Sequence, residues 1–275
     1  MDPQASSIVR GRGLVLAYDA HVALDASDFD IPRGRISAVI GPNGSGKSTL
    51  LHAIAGLLEP IRGTLEVDLP EPRYRRTAYV LQSTKVNAGM PVTVDEVVAM
   101  GRYARLGAYR RFAAADREAC ERVMSRLEVD TLASRHLDEL SGGQAQRVFV
   151  AQGLVQEADL LLLDEPVTGL DLVSRETILG VIAEERERGT TIVVTTHDLD
   201  EAGGADHVLL LASRVVAQGP PEHALAAEAL GQAYGVRVME LEGGALLDDP
   251  HHRAVTGRHV HFDRTGHAEH GPDAD

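Results

Sequence analysis

The chain has 275 residues, a formal charge of -14, 44% apolar residues and a single cysteine, Cys120. That length supports one domain, or one and a half, around a sizeable core. The acidic balance argues against a nucleic-acid partner and against adhesion to anionic lipid, since both want a basic face. One cysteine leaves no intramolecular disulfide and fits a reducing compartment.

No apolar run of the secretory type opens the chain. The longest purely apolar stretches, such as Leu160–Leu163 and Val208–Ala212, are far too short to span a bilayer. Residues 8 to 35 read as short strands, Leu14–Tyr18, Val22–Leu24 and Phe29–Ile31, ahead of a Pro32-Arg33-Gly34 turn. They predict a small antiparallel flap. Tyr18 lies 23 residues before Gly41 and either stacks on an adenine ring or fills the flap's apolar face.

An apolar strand, Ile36–Ile40, then enters Gly41-Pro42-Asn43-Gly44-Ser45-Gly46-Lys47-Ser48-Thr49, and a helical run (Leu50, Leu51, Ile54, Leu57, Leu58) leaves it. This satisfies G-x-x-x-x-G-K-[ST], whose backbone N–H groups cradle phosphates while the lysine reaches the β and γ oxygens. The phosphates would sit on a helix N-terminus, where unpaired amides and the dipole favour negative charge. Only two lysines, Lys47 and Lys85, stand against 25 arginines, so a chance lysine at that position is improbable.

Beyond a break at Gly56–Gly63, Thr64–Leu69 reads as an edge strand and Thr77–Leu81 as a buried strand ending at Gln82. A glutamine there reaches a metal ion or an attacking water, or merely caps the strand. Helical spacing runs from Thr93 to about Arg135, with Asp95–Met100 and Asp116–Leu127 its clearest parts, and predicts an all-helical insertion in which Cys120 packs. Leu140-Ser141-Gly142-Gly143-Gln144 follows, with Ser141 as the N-cap of a helix.

Four leucines, Leu160 to Leu163, form a strand that ends in two carboxylates, Asp164 and Glu165. In phosphate-loop enzymes such an Asp holds Mg²⁺ together with the loop hydroxyl of Ser48. A neighbouring carboxylate can orient and deprotonate water. Gly169-Leu170-Asp171 precedes a helix over Ser174–Glu187, and the strand Thr190–Thr196 ends at His197, which is either structural or aimed at the γ-phosphate. Val208–Leu211 and Val215–Ala217 predict a closing hairpin, and Gly219-Pro220-Pro221 the end of the core.

Taken in order, the phosphate loop, Gln82, Leu140–Gln144, Leu160–Glu165, Gly169-Leu170-Asp171 and His197 resemble the ATP-binding subunit of an ABC transporter over roughly residues 8 to 225. The resemblance implies an α/β, P-loop NTPase fold with a mixed, largely parallel sheet, an antiparallel β flap and an inserted helical subdomain at about 84–155. Residues 226–275 would be an extension. It implies ATP and Mg²⁺ as cofactors, and a head-to-tail dimer of nucleotide domains in which one copy's loop faces the other's signature. By motif, Gly41 to Thr49 bind phosphates, Ser48, Gln82 and Asp164 serve Mg²⁺, and Tyr18 stacks on adenine. Ser141, Gly142, Gly143, Gln144 and Asp171 would belong to the partner-facing part of the nucleotide site. Glu165 would be the general base, Gln82 the coupling residue and His197 the switch histidine. Leu81 departs from the pattern, since many relatives carry proline before the glutamine. The implied partners are a polytopic permease, a second copy of this chain and, indirectly, an extracytoplasmic substrate-binding protein. The implied place is the cytoplasmic membrane face.

The stretch Met90 to Val98, with Gly101-Arg102-Tyr103, Leu106-Gly107 and Arg110-Arg111, resembles the zinc and manganese importer branch, with iron-chelate importers as the alternative. A soluble, non-transport ABC ATPase fits less well, because paired domains and basic extensions are missing from the pattern. Six of the 12 histidines, His251, His252, His259, His261, His267 and His270, fall in the final 25 residues. With Asp248, Asp249, Asp263 and Asp273 they form a borderline-metal ligand set, or simply a solvated polar tail.

Overall fold

The computed structural model describes residues 6–18, 21–82, 91–106 and 111–235, and the backbone of 238–241 and 244–247. Two long strands, β1 (Ser7–Tyr18) and β2 (His21–Pro32), pair antiparallel. The sequence suggested shorter pieces here. Register shifts along β1, at Gly11/Leu14 and Leu14/Leu16 among others, let the polar stretch Asp25–Asp28 stay in the strand and bend it. After β3 (Ile36–Ile40) and α1 (Lys47–Ile54), β4 (Arg62–Val67) adds to the far side of β1 as an edge.

The main sheet continues with β5 (Thr77–Val80). The helical insertion follows as α2 (Val94–Leu106), α3 (Ala114–Arg126) and α4 (Gly142–Leu154), and the chain returns through β6 (Leu160–Asp164). Next come α5 (Leu172–Glu187), β7 (Thr191–Thr196), the short α6 (Leu199–Gly203), β8 (His207–Leu211) and β9 (Val215–Gly219). The six-stranded order is β5-β6-β7-β3-β8-β9, parallel except for the β8–β9 hairpin.

Unbroken leucine in β6 follows from burial on both faces. Leu160 and Leu162 meet α1 and the flap residues Leu16, Leu24 and Phe29, whereas Leu161 and Leu163 meet the helical side through Val148, Ala151 and Ile178. α1 is thus clamped between two sheets. The chain does not stop packing at Pro221 as its turn residues suggested. Pro221 starts α7 (Pro221–Ala224), α8 (Ala227–Tyr234) follows, and Ala224, Leu230 and Ala233 bury against Ala38, Ile40 and Val208. The last pair, β10 (Val238–Leu241) and β11 (Gly244–Leu247), forms a small antiparallel hairpin. Among the described residues no helix is long and apolar enough to cross a membrane.

Inside the helical insertion, Arg102 of α2 is buried. Its Nε and Nη2 donate to Asp116 Oδ1 at 3.0 and 2.8 Å, and its Nη1 donates to the Val155 carbonyl oxygen at 2.9 Å. Gly101 and Arg102 of the importer-like stretch therefore serve internal packing, while Met100 and Tyr103 of the same helix face solvent.

Candidate nucleotide site

β3 delivers the chain to the phosphate loop at the carboxyl edge of the sheet, and Lys47 opens α1 directly after it. Gly46 has φ 98°, and a Cβ there would lie 2.6 Å from the Ala23 carbonyl oxygen. Only glycine lets β2 close over the loop. Lys47 Nζ donates to the carbonyl oxygens of Gly41 (2.8 Å) and Pro42 (3.3 Å). Burial pushes this ammonium below the usual lysine range, against an opposing pull from Glu165 and Asp164. A polyanion arriving at the loop would compensate the buried cation.

Asp164 ends β6 with Thr195 directly opposite it in the parallel register. Thr195 Oγ1 donates to Asp164 Oδ1 at 2.6 Å and accepts the Glu165 N–H at 2.8 Å. The Tyr79 hydroxyl donates to Asp164 Oδ2 at 3.3 Å, and burial pushes that phenol far above its usual range, so it remains a donor. Glu165 itself adopts φ 47°, a left-handed conformation uncommon outside glycine. Its Oε2 accepts from Gln82 Nε2 at 3.0 Å and lies 3.8 Å from His197 Nδ1. The Glu165 side chain is 15% exposed and that of His197 56%, so the carboxylate is sheltered and the imidazole stands at the rim.

Lys47, Gln82 and Glu165 line a cleft of about 410 Å³ together with Tyr18, Asn43 and Ser48, whereas Asp164 and His197 stand outside its lining. Tyr18 is partly exposed there, with its hydroxyl 2.5 Å from His52 Nδ1, and His52 in turn sits edge-on to Tyr79. Gln82 lies two residues past the end of β5 rather than on it, which lets its amide swing to Glu165. The Ser48 hydroxyl, Asp164 carboxylate and Gln82 amide oxygen are hard oxygen donors, the chemistry that suits Mg²⁺.

The structure gathers the signature residues elsewhere. Ser141, Gly142, Gly143, Gln144 and Asp171 do not line the cleft. Ser141 caps α4 reciprocally: its Oγ accepts the Gln144 N–H at 3.2 Å while its own N–H donates to Gln144 Oε1 at 3.0 Å. A Cβ on Gly143 would lie 2.4 Å from Ser174 Oγ and 2.5 Å from Asp171 Oδ2, so α4 seats directly on the start of α5. Asp171 caps α5 by accepting the Ser174 N–H at 2.9 Å, and this bond holds its carboxyl below the usual range.

The sequence reading passed over Thr195, Tyr79 and His52. A threonine two places before His197 could have been flagged only by pairing β7 with β6. The tail histidines from His251 to His270, together with Met90, Gly107 and Arg110, lie outside the described residues.

The ABC transporter family profile matches residues 24–168, a span that holds the phosphate loop, Gln82, the signature and the Asp164-Glu165 pair. The chain belongs to the ABC transporter family. This ABC chain is 37% identical over 227 residues to a manganese transport system ATP-binding protein, MntB, of Listeria innocua, covering 82% of this chain and 95% of the relative. It is 42% identical over 229 residues to a zinc transport system ATP-binding protein, TroB, of Treponema pallidum, covering 82% of this chain and 86% of the relative. A solved ABC transporter described as of metal-chelate type, in an inward-facing conformation, superposes with a TM-score of 0.75 at 29% identity, covering 86% of this chain and 91% of the other. ATP binding and ATP hydrolysis are the chemistry of an ABC cassette.

Proposed function

We propose that this chain hydrolyses ATP to energise the import of a divalent metal ion, zinc or manganese, through a polytopic permease at the cytoplasmic face of a membrane. The observation that carries the reading is the convergence of Lys47, Ser48, Gln82 and Glu165 on one cleft, in a chain whose relatives are named for manganese and zinc transport.

In this reading residues 8–225 are the nucleotide-binding domain and 226–275 an extension. Tyr18 stacks on the adenine, Gly41 to Thr49 enclose the phosphates, and Lys47 neutralises them from within the loop. Mg²⁺ held by Ser48, Asp164 and Gln82 would draw charge from the phosphate oxygens during transfer. Glu165, held by the Gln82 amide at 3.0 Å, takes the proton of the attacking water. His197 at the rim contacts the γ-phosphate. The signature at Ser141 and Gly143, remote from this chain's own cleft, meets the γ-phosphate of a second copy, with Asp171 alongside. An extracytoplasmic substrate-binding protein would deliver the metal to the permease.

A second reading, a metal-chelate importer, draws support from the solved transporter of that description. Uptake of Zn²⁺, Mn²⁺ and chelated iron by a deletion strain separates the two. Loss of Zn²⁺ or Mn²⁺ uptake, restored by the wild-type chain and not by Glu165→Gln, is the expected result. Loss of chelated-iron uptake alone supports the second reading, and unchanged uptake of all three contradicts both.

A further inference from the structure

Thr195 is fully buried, and its one hydroxyl touches both carboxylate residues of the site. A threonine hydroxyl has one proton to give and two lone pairs to receive. Here the proton goes to Asp164 Oδ1 at 2.6 Å and a lone pair takes the Glu165 N–H at 2.8 Å. The second bond pins the peptide of a residue held at φ 47°, a conformation that persists only where the surroundings impose it. The first bond occupies Oδ1, and among the described residues Oδ2 of Asp164 accepts the longer 3.3 Å bond from Tyr79.

We propose that Thr195 is a positioning residue for hydrolysis. Through one hydroxyl it sets the direction of the metal-side carboxylate of Asp164 and the backbone turn that aims Glu165 at the attacking water. This rests on the reading of Asp164 and Glu165 given above. The residue performs the task because β7 lies between β6 and β3 in the sheet, with Thr195 in register with Asp164 on one side and Val39 on the other. Among the described residues no other strand pairs with both the loop strand and the carboxylate strand.

The test compares Thr195→Val, Thr195→Ser and Glu165→Gln in ATP turnover and in nucleotide binding with and without Mg²⁺. Thr195→Val should lower kcat about 10- to 100-fold, the usual effect of removing a group that orients a metal ligand. Its metal-free nucleotide Kd should stay unchanged, while the affinity gained on adding Mg²⁺ shrinks. Thr195→Ser, which keeps the hydroxyl, should restore both. Thr195→Ala carries the same expectation as the valine variant and replaces it if that variant does not fold. Parental turnover in Thr195→Val or Thr195→Ala, or a serine variant as impaired as the valine one, overturns the proposal. Glu165→Gln keeps the two readings apart. If it hydrolyses at the parental rate, the assignment of Glu165 as base has failed; if it is inactive while Thr195→Val is not, only the role of Thr195 has.

Discussion

At the start of α1 the chain wraps its own glycine-rich turn. Lys47 is buried beneath it, β2 presses over Gly46, and Gln82, Glu165 and His197 close the other side. At the start of α4 a second glycine-rich turn is open on its outer side, with Ser141 and Gly142 exposed, Gly143 buried against α5, and the Ser141 cap completed by Gln144. Both are helix N-termini fit for an anion, yet just one is walled by its own chain. The difference teaches that the molecule carries one complete pocket wall and one loose face, as expected of a site shared between two copies.

The largest effects should fall on the walled turn. Glu165→Gln is expected to lower kcat about 10²- to 10⁴-fold, the range of a lost general base, with nucleotide affinity kept. Lys47→Ala should instead weaken nucleotide binding. Phosphate release and equilibrium binding check both, and parental turnover in Glu165→Gln would break the contrast at its strongest point.

Next comes the scaffold of the loose face. Arg102→Ala strips Asp116 and the Val155 carbonyl of their buried partner, and should cost about 3–5 kcal/mol in denaturant unfolding. Its nucleotide affinity, set in a cleft that Arg102 does not line, should be unaffected. A parallel loss of affinity would show that the two regions are not separable.

Gly143→Ala puts a methyl group into the contact of α4 with Asp171 and Ser174, at a cost of about 1–3 kcal/mol. Hydrolysis should fall while nucleotide binding remains. Equal loss of both would place Gly143 in the walled pocket after all.

The smallest effect belongs to His207, on β8 beside the loop strand. Burial lowers its pKa, opposed only by Asp30, so the fold prefers the neutral imidazole. Stability should therefore be full above the unfolded value of about 6.5 and decline as pH falls below it. In His207→Gln that decline should be shallower, as melting temperatures across pH would record. An unchanged slope would rule out His207 as its source.

How much of this was legible beforehand depended on how local the signal was. The bounds of β3, the cap at Ser141 and the strand-end carboxylates were readable because a few consecutive residues carry each. Thr195 was not, since its role exists only in the pairing of β7 with β6, some thirty positions away in the chain. The same holds for Arg102, which read as part of the importer-like stretch and turns inward to Asp116. The run past Pro221 misled for the opposite reason: proline signals a break but equally opens a helix, and α8 returns to bury Leu230. For Tyr18 the sequence reading left two roles open, and its ring lies at the cleft with its hydroxyl on His52.

Light scattering of Glu165→Gln with and without Mg-ATP tests the central claim, a site completed by a second copy, most directly. The account predicts a monomer without nucleotide and a dimer at saturating Mg-ATP, lost again when Ser141→Arg is added to the same chain. A mass that stays monomeric with ATP bound would contradict it.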